Sequence, residues 1–243
     1  LACPALMNAS SIQVAYSGGL DSTVLLHLLH TLHTSGQLAA QPCAVHIHHG
    51  LQVQADQWLE HCAGFAASLQ LPFRFKKVHV QNRDGSSPEE AARDARYAAF
   101  IELLPTGGVL LQAHHQDDQS ETMLLHLLRG SGPRGLAGIP ASRKLGAGLL
   151  LRPLLHCTRQ QLQAYAEQKS LPWVSDQSND DQSFDRNLLR HAVVPVLKQH
   201  WPGLHASLSR SAGLCAEADE LNTLLAAQDF TAARGHLSST LDL

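Results

Sequence analysis

The feature that most restricts the fold of this 243-residue chain is an alternation, repeated four times, of a short apolar stretch and an amphipathic segment. Residues 12–16, 43–48, 73–80 and 109–113 have strand character. The first is followed by residues 21–32, where Val24, Leu25, Leu28, Leu29 and Leu32 recur at helical spacing. Segments 54–69, 88–104 and 117–128 follow the other three in the same way, with Pro88 suited to a first helical turn. Strands joined by single-helix crossovers imply a parallel sheet covered on both faces, with right-handed connections. In such sheets ligands bind beyond the carboxyl ends of the strands. Those ends run here into Ser17-Gly18-Gly19, His48-His49-Gly50 and His114-His115-Gln116-Asp117-Asp118, so the functional edge is named before any motif is invoked.

Beyond residue 129 the pattern changes. Residues 130–148, rich in glycine and proline, read as a loop; 149–151 as a strand; 158–169 and 186–198 as helices. After Pro202-Gly203, residues 205–230 form one long amphipathic helix carrying Leu208, Leu214, Leu221, Leu224 and Leu225. The expected organisation is a domain over 1–203, then a linker helix over 204–243 that opens a truncated C-terminal region.

Composition narrows the class. Hydrophobic residues are 44% and charged residues 16%, which is globular rather than disordered. No apolar run reaches the roughly 18 residues of a membrane span. Residues 1–10 lack a charged n-region and an apolar h-region, so no secretory signal is read there. The five cysteines are scattered with no C-x-x-C pair, which speaks against a disulfide framework or a structural zinc and makes the cytoplasm the expected compartment. A net charge of -3 shows no nucleic-acid partner, yet the stretch from Thr122 to Ala166 holds six basic residues and no acidic one. That stretch could meet RNA phosphate.

The sharpest motif is Ser17-Gly18-Gly19-Leu20-Asp21-Ser22, set between a strand and a helix. Two glycines permit a tight turn and close backbone approach, and the following helix offers unpaired N–H groups and a positive dipole end. With the two serine hydroxyls this makes a cradle for phosphate. Asp21 has the wrong charge to hold phosphate directly, so a bridging Mg2+ explains it. A Walker-type G-x-x-x-x-G-K-S/T is absent. Gly130-Ser131-Gly132-Pro133-Arg134-Gly135 matches G-x-G-x-x-G, but it follows a helix, where the dinucleotide motif must follow a strand.

Asp118 and Glu121, three apart at a helix start, share a face; they are either dipole partners or ligands for Mg2+ or a substrate ammonium. His114 and His115 suit hydrogen bonding to phosphate or substrate, and His46 and His48 suit the wall of the site. Arg93 and Arg96 lie on one helical face with Tyr97 four beyond Arg93, as either surface salt bridges or a phosphate clamp.

The Ser17–Ser22 run resembles the S-G-G-x-D-S signature of the PP-loop, or N-type, ATP pyrophosphatase superfamily. Further stretches resemble the tRNA(Ile)-lysidine synthetase family: His46-Ile47-His48-His49-Gly50-Leu51, Ala92-Arg93 to Arg96-Tyr97, and Ala113 through Thr122. Arg129-Gly130-Ser131-Gly132 through Gly135-Leu136, Arg152-Pro153-Leu154, Asp176 through Asn179, Arg186-Asn187, Arg190 and Pro195 continue it in order. The resemblance implies an α/β fold: a parallel-sheet, adenine-nucleotide-alpha-hydrolase-like (Rossmann-like) PP-loop domain followed by a helical linker. It implies an ATP-dependent carbon–nitrogen ligase that adenylates the wobble cytidine of a tRNA(Ile) with a CAU anticodon. L-lysine then displaces AMP to give lysidine, pyrophosphate having left first.

Carried onto this chain, the resemblance assigns ATP to Ser17, Gly18, Gly19, Leu20, Asp21 and Ser22, with Mg2+ at Asp21. It places Asp21, His114, Asp118 and Glu121 in the catalytic set, with the carboxylates on the lysine ammonium. Arg93, Arg96 and Arg129 become contacts for substrate or phosphate, and the loop 130–138 closes over the site. The tRNA-binding domains of the family would follow Leu243. A homodimer is one option for the assembly, and no membrane partner is expected. Two alternatives stay open: a PP-loop tRNA thiolation enzyme, against which the lack of paired cysteines weighs, and a nucleotide- or RNA-binding fragment without turnover.

Overall fold

The structure, a computed structural model, describes residues 3–48, 55–78, 88–175, 181 and 183–240. The motif residues His49, Gly50, Leu51 and Asp176 through Asn179 lie outside that set. In chain order the described strands are β1 (Ile12–Ala15), β2 (Pro42–His48), β3 (Phe73–Lys77), β4 (Val109–Leu111), β5 (Ser142–Leu145) and β6 (Gly148–Leu151). The helices are α1 (Pro4–Met7), α2 (Leu20–Thr34), α3 (Ala55–Ser68), α4 (Pro88–Leu103), α5 (Gln116–Leu128), α6 (Pro133–Leu136), α7 (Arg159–Gln168), α8 (Asp185–Leu188), α9 (Val194–His200) and α10 (Leu204–Thr240).

The chain divides into two compact units, one of Leu1–Gln116 with Pro140–Ser178 and one of Asp117–Ile139 with Asn179–Leu243. The first unit holds the sheet, in the order β3-β2-β1-β4-β6-β5. The pairs β1/β2, β1/β4, β2/β3 and β4/β6 are parallel, as the strand–helix alternation requires. Side chains alternate between the faces. Ile12, Val14, Ala44, Val109, Leu111 and Leu151 pack in one cluster with Leu25 and Leu29 of α2, Phe65 and Ala66 of α3 and Leu162 and Ala166 of α7. Val45, Ile47, Leu110 and Leu150 pack on the other face with Ala99 and Phe100 of α4. Both faces of β1, β2 and β4 are buried, whereas β3 and β5 at the sheet edges are largely exposed.

The structure corrects several sequence expectations. The segment 130–148 is not all loop, because it contains α6 and the strand β5. β5 pairs antiparallel with β6, so the sheet is mixed at that edge. A two-residue connection can only return the chain antiparallel, and Gly146, with φ of +56°, supplies the left-handed first turn position. The single helix expected over 186–198 is interrupted by a π-helical turn, Leu189–Val193. Pro195 lacks an N–H and its ring crowds the carbonyl four residues back, which the widened turn accommodates. The last helix also runs beyond residue 230, to Thr240.

In the second unit α6 packs against α10. The Gln119 side chain of α5 clasps the segment after α6, accepting from Ile139 N at 2.6 Å and donating to Ala137 O at 3.3 Å. Among the described residues no helix is long and apolar enough to cross a membrane.

Leu150 is fully buried in the second sheet face. Leu150→Ala should cost about 2–5 kcal/mol, read as a lower denaturant midpoint at unchanged m-value. An unchanged midpoint would show that this face is not part of the core.

Candidate active site

After β1 the chain keeps its ladder for one more residue, Tyr16 N donating to Val45 O at 2.9 Å. Gly18 then turns with φ of +84°, the left-handed region that favours glycine. A Cβ there would stand 2.9 Å from Cys62 Sγ and 3.3 Å from Val174 Cγ2, so the turn also needs the missing side chain for space. Gly18 O accepts from Val174 N at 3.0 Å, which ties the loop to the segment after α7. Gly19 caps α2 with extended backbone and no side-chain cap. The Ser22 hydroxyl donates to Gly19 O at 3.0 Å and lies 3.1 Å from Ser17 Oγ. The result is a loop braced by its own serines at the positive end of a 15-residue helix, a geometry suited to phosphate.

Asp21 stands in the first turn of α2. His115 Nε2 lies 3.6 Å from its Oδ2, with the His115 side chain 2% exposed and that of Asp21 32% exposed. Asp21 Oδ1 is buried and has no hydrogen-bond partner among the described residues. An oxygen donor left over beside a phosphate cradle fits Mg2+, which binds through one or two carboxylates plus phosphate oxygens rather than an all-protein cage. No group of three His, Cys, Asp or Glu that could hold a metal occurs among the described residues.

The wall of the loop is formed by β2. His46 Nδ1 bonds Tyr16 O at 2.9 Å and lies 3.6 Å from Cys62 Sγ. Burial lowers the His46 pKa from its ordinary value, the Tyr16 carbonyl opposes that and the nearby His48 adds to it. Burial pushes the Cys62 thiol up to about 12, which keeps it protonated and poorly nucleophilic. His48 Nε2 pairs with Asp56 at 3.2 Å.

Within the same unit His114 accepts from Arg152 Nε at 3.1 Å, and Arg152 Nη1 donates to Pro140 O at 2.6 Å. Arg93 lies over the Tyr97 ring at 5.8 Å and Arg143 at 4.5 Å from its centroid. Tyr97 OH donates to Gln112 Oε1 at 3.2 Å. Burial alone would raise the phenol, but Gln112 and the guanidinium groups of Arg152 and Arg143 outweigh it and bring it below its ordinary value. Arg93 and Arg96 are exposed on α4.

The second unit carries the other acidic motif. Asp118 and Glu121 lie on the first turns of α5, as their spacing requires. Arg190 grips both oxygens of Glu121, Nε to Oε1 at 2.7 Å and Nη2 to Oε2 at 2.8 Å. Arg186 donates to Glu121 Oε2 at 2.8 Å and to Asp118 Oδ1 at 2.9 Å. Two carboxylates and two guanidiniums thus form a neutral quartet, with the Glu121 side chain 3% exposed. Arg129 pairs with Asp185 at 2.8 Å on the surface of this unit. Ser120 Oγ lies 2.8 Å from His205 Nδ1 of α10.

Residues 3–197 match the PP-loop domain family. The chain belongs to the PP-loop family. Membership implies use of ATP. Over 91% of the chain it is 54% identical to a curated tRNA(Ile)-lysidine synthase from Alkalilimnicola ehrlichii, of which it covers 49%. Over 93% of the chain it is 50% identical to the tRNA(Ile)-lysidine synthase of Pseudomonas fluorescens, of which it covers 51%. The chain thus spans about half the length of the curated relatives it matches. Among solved structures, the U34-tRNA thiolase of Methanococcus maripaludis with its 4Fe-4S cluster superposes with a TM-score of 0.67 at 16% identity. That match covers 87% of this chain and 74% of the thiolase and speaks to the fold alone.

In the PP-loop unit the structure brings together Ser17, Gly18, Gly19, Asp21 and Ser22, with Leu20 buried behind them in the core. It joins Asp118 to Glu121 in the other unit. Sequence alone assigns His115 only a general polar role, yet His115 is the histidine that reaches Asp21, while His114 reaches Arg152. Sequence also assigns Arg186 and Arg190 no role beyond motif membership. Their only sequence signal is the i, i+4 spacing of two arginines, which any solvated helix can carry.

Gly18→Ala should lower stability by about 1–3 kcal/mol through backbone strain alone and abolish ATP binding by isothermal titration. Adding Cys62→Ala should restore only the steric part. Gly19→Ala, whose Cβ would meet Ser17 Oγ at an ordinary 3.5 Å, should be milder. Equal behaviour of the two alanine variants would show that neither the left-handed turn nor the close approach to Cys62 matters to the loop.

Because folding depresses the His46 pKa below 6.5, its neutral form is the folded one. Stability from this site is complete above the unfolded pKa of 6.5, erodes as pH falls below it, and reaches its floor at the folded pKa. His46→Asn should flatten the acid limb of thermal-midpoint against pH; an unaltered limb would assign that limb elsewhere.

Proposed function

We propose that this PP-loop chain is the ATP-using part of a tRNA(Ile)-lysidine synthase. The observation that carries the reading is identity of about half over nine-tenths of the chain to curated relatives of that name. In this reading ATP adenylates the C2 oxygen of the wobble cytidine in a tRNA(Ile) with a CAU anticodon, pyrophosphate leaves, and the side-chain amine of L-lysine displaces AMP. The cytosine oxygen is a poor leaving group, and adenylation makes it a good one.

The residues divide the work. Backbone N–H groups of the loop from Ser17 to Ser22 and the α2 N-terminus hold the phosphates and stabilise charge on the departing pyrophosphate. Asp21 would hold Mg2+ through Oδ1, the oxygen without another partner among the described residues. Mg2+ supplies charge neutralisation on the phosphates when bound. His115 orients the other oxygen of Asp21. The quartet of Asp118, Glu121, Arg186 and Arg190 carries both signs in balance, which suits the zwitterionic end of an amino acid: the carboxylates take the ammonium, the guanidiniums the carboxylate. His114 takes its place beside the base to be modified, and Arg93, Arg96 and Arg129 serve phosphate or substrate.

Functionally we divide the chain into a catalytic region over 1–203 and a linker helix over 204–243, a division by role that cuts across the compact units. The tRNA(Ile), lysine and Mg2+ are parts of this proposal, as is a cytoplasmic location. Thiolation is the weaker reading, because Cys62 is buried with its thiol held protonated and the match to the thiolase is of fold alone.

The test is AMP release from ATP with a tRNA(Ile) transcript, with and without lysine, by the full-length protein. Release should depend on lysine, and Asp21→Ala should lower it at least about 100-fold, the scale of losing a transition-state charge stabiliser. Turnover with a sulfur donor in place of lysine would overturn the reading.

A further inference from the structure

In the first unit three guanidinium groups gather where β4 and β6 end. Arg152 follows β6 and is 6% exposed. Its Nε and Nη1 are committed to His114 and Pro140 O, which fix its plane. Arg143 comes from the edge strand β5 and stacks on Tyr97, with Arg93 one helical turn before the same ring. None of the three makes an ion pair with a carboxylate among the described residues. Burial lowers the Arg152 pKa, the Tyr97 hydroxyl opposes that through charge and a hydrogen bond, and Arg143 and Arg93 add smaller lowering effects. The Tyr97 ring attracts Arg143 and Arg93, but the mutual repulsion of the three cations and the burial of Arg152 oppose the cluster, and a bound anion would relieve both.

We propose that Tyr97, Arg143, Arg93 and Arg152 form a binding site for an RNA strand, the arene–guanidinium platform taking a base and the guanidiniums the adjoining phosphodiester. The proposal rests on the reading that the substrate is a tRNA, and it assigns part of the strand's path to β5 and α4. Position favours a ligand here, since strand ends β4 and β6 belong to the carboxyl edge of the sheet. Adjacent residues serve the two functions: His115 reaches Asp21 of the phosphate cradle, and His114 reaches Arg152.

A strand of RNA fits better than a free nucleotide. Arg93 and Arg143 are exposed, and Lys144 next to Arg143 is exposed as well, so the cations line an open edge. Sites for single small molecules are concave and mostly apolar. Open basic tracks with an aromatic platform are how single-stranded nucleic acid is held, through base stacking and phosphate contact. A competing role for Arg143 and Lys144 is protection of an exposed sheet edge from pairing with other chains. The two roles make different predictions.

The experiment measures binding of the 243-residue chain to an RNA hairpin bearing a CAU anticodon loop, and separately to ATP, for wild type, Arg143→Glu and Tyr97→Phe. Arg143 is exposed, so its charge reversal leaves the fold intact, which circular dichroism checks. Arg143→Glu should weaken the hairpin at least about tenfold at low salt. It should also reduce the slope of log K against log salt by about 0.7 for each single-strand phosphate that the variant no longer neutralises. ATP affinity should be unchanged, and Tyr97→Phe, which keeps the ring but loses the hydroxyl bonded to Gln112 and Arg152, should weaken the hairpin less than Arg143→Glu does. Unchanged hairpin binding by Arg143→Glu, an equal loss for ATP, or no hairpin binding by wild type would overturn the site. The readout needs no lysine. Hairpin binding that fails as expected in Arg143→Glu, together with no lysine-dependent turnover in the full-length protein, would leave this site standing and remove the proposed activity.

Discussion

The start of α2 can face a phosphate only because Gly18 turns left-handed against Cys62 and Val174 with no side chain of its own. That single contact joins three parts of the first unit: the end of β1, the inner side of α3 and the segment after α7. Cys62 leaves no room for a side chain at Gly18, and burial holds its thiol protonated. The parallel sheet then does the rest, presenting Asp21, His115, His114 and Arg152 from consecutive strand ends.

Charge is handled differently in the two units. In the second, two acids and two arginines neutralise one another, and the low exposure of Glu121 is tolerable because both of its oxygens are satisfied. In the first, the neighbours that oppose repulsion among the cations around Tyr97 are, among the described residues, a carbonyl, an imidazole and the Tyr97 ring and hydroxyl. A net charge of -3 averages over both arrangements and says little about either.

The strand–helix alternation was legible because both faces of β1, β2 and β4 are buried and each helix carries one apolar stripe. The PP-loop was legible because the glycines and serines that shape it are contiguous. β5 was not, since four residues reading Ser-Arg-Lys-Leu show strand character only once paired with β6. The π turn before Pro195 was not, because a proline within a helical pattern signals a break but not how the backbone absorbs it. Of the adjacent pair His114 and His115, sequence could not say which one faces Asp21, because the chain between β4 and α5 is irregular and has no period to read.

By itself, then, the sequence determined the class of fold, the glycine turn between β1 and α2 and the shared face of Asp118 and Glu121. Each depends on neighbours within about four residues, where backbone geometry relates spacing to position. Only the tertiary structure decided that Arg186 and Arg190 answer those carboxylates, that His115 rather than His114 meets Asp21, and that Arg143 stacks on Tyr97. These pairs are 46 to 94 residues apart or turn on a one-residue choice. Long-range contacts of that kind follow from how the layers pack, which no local periodicity encodes.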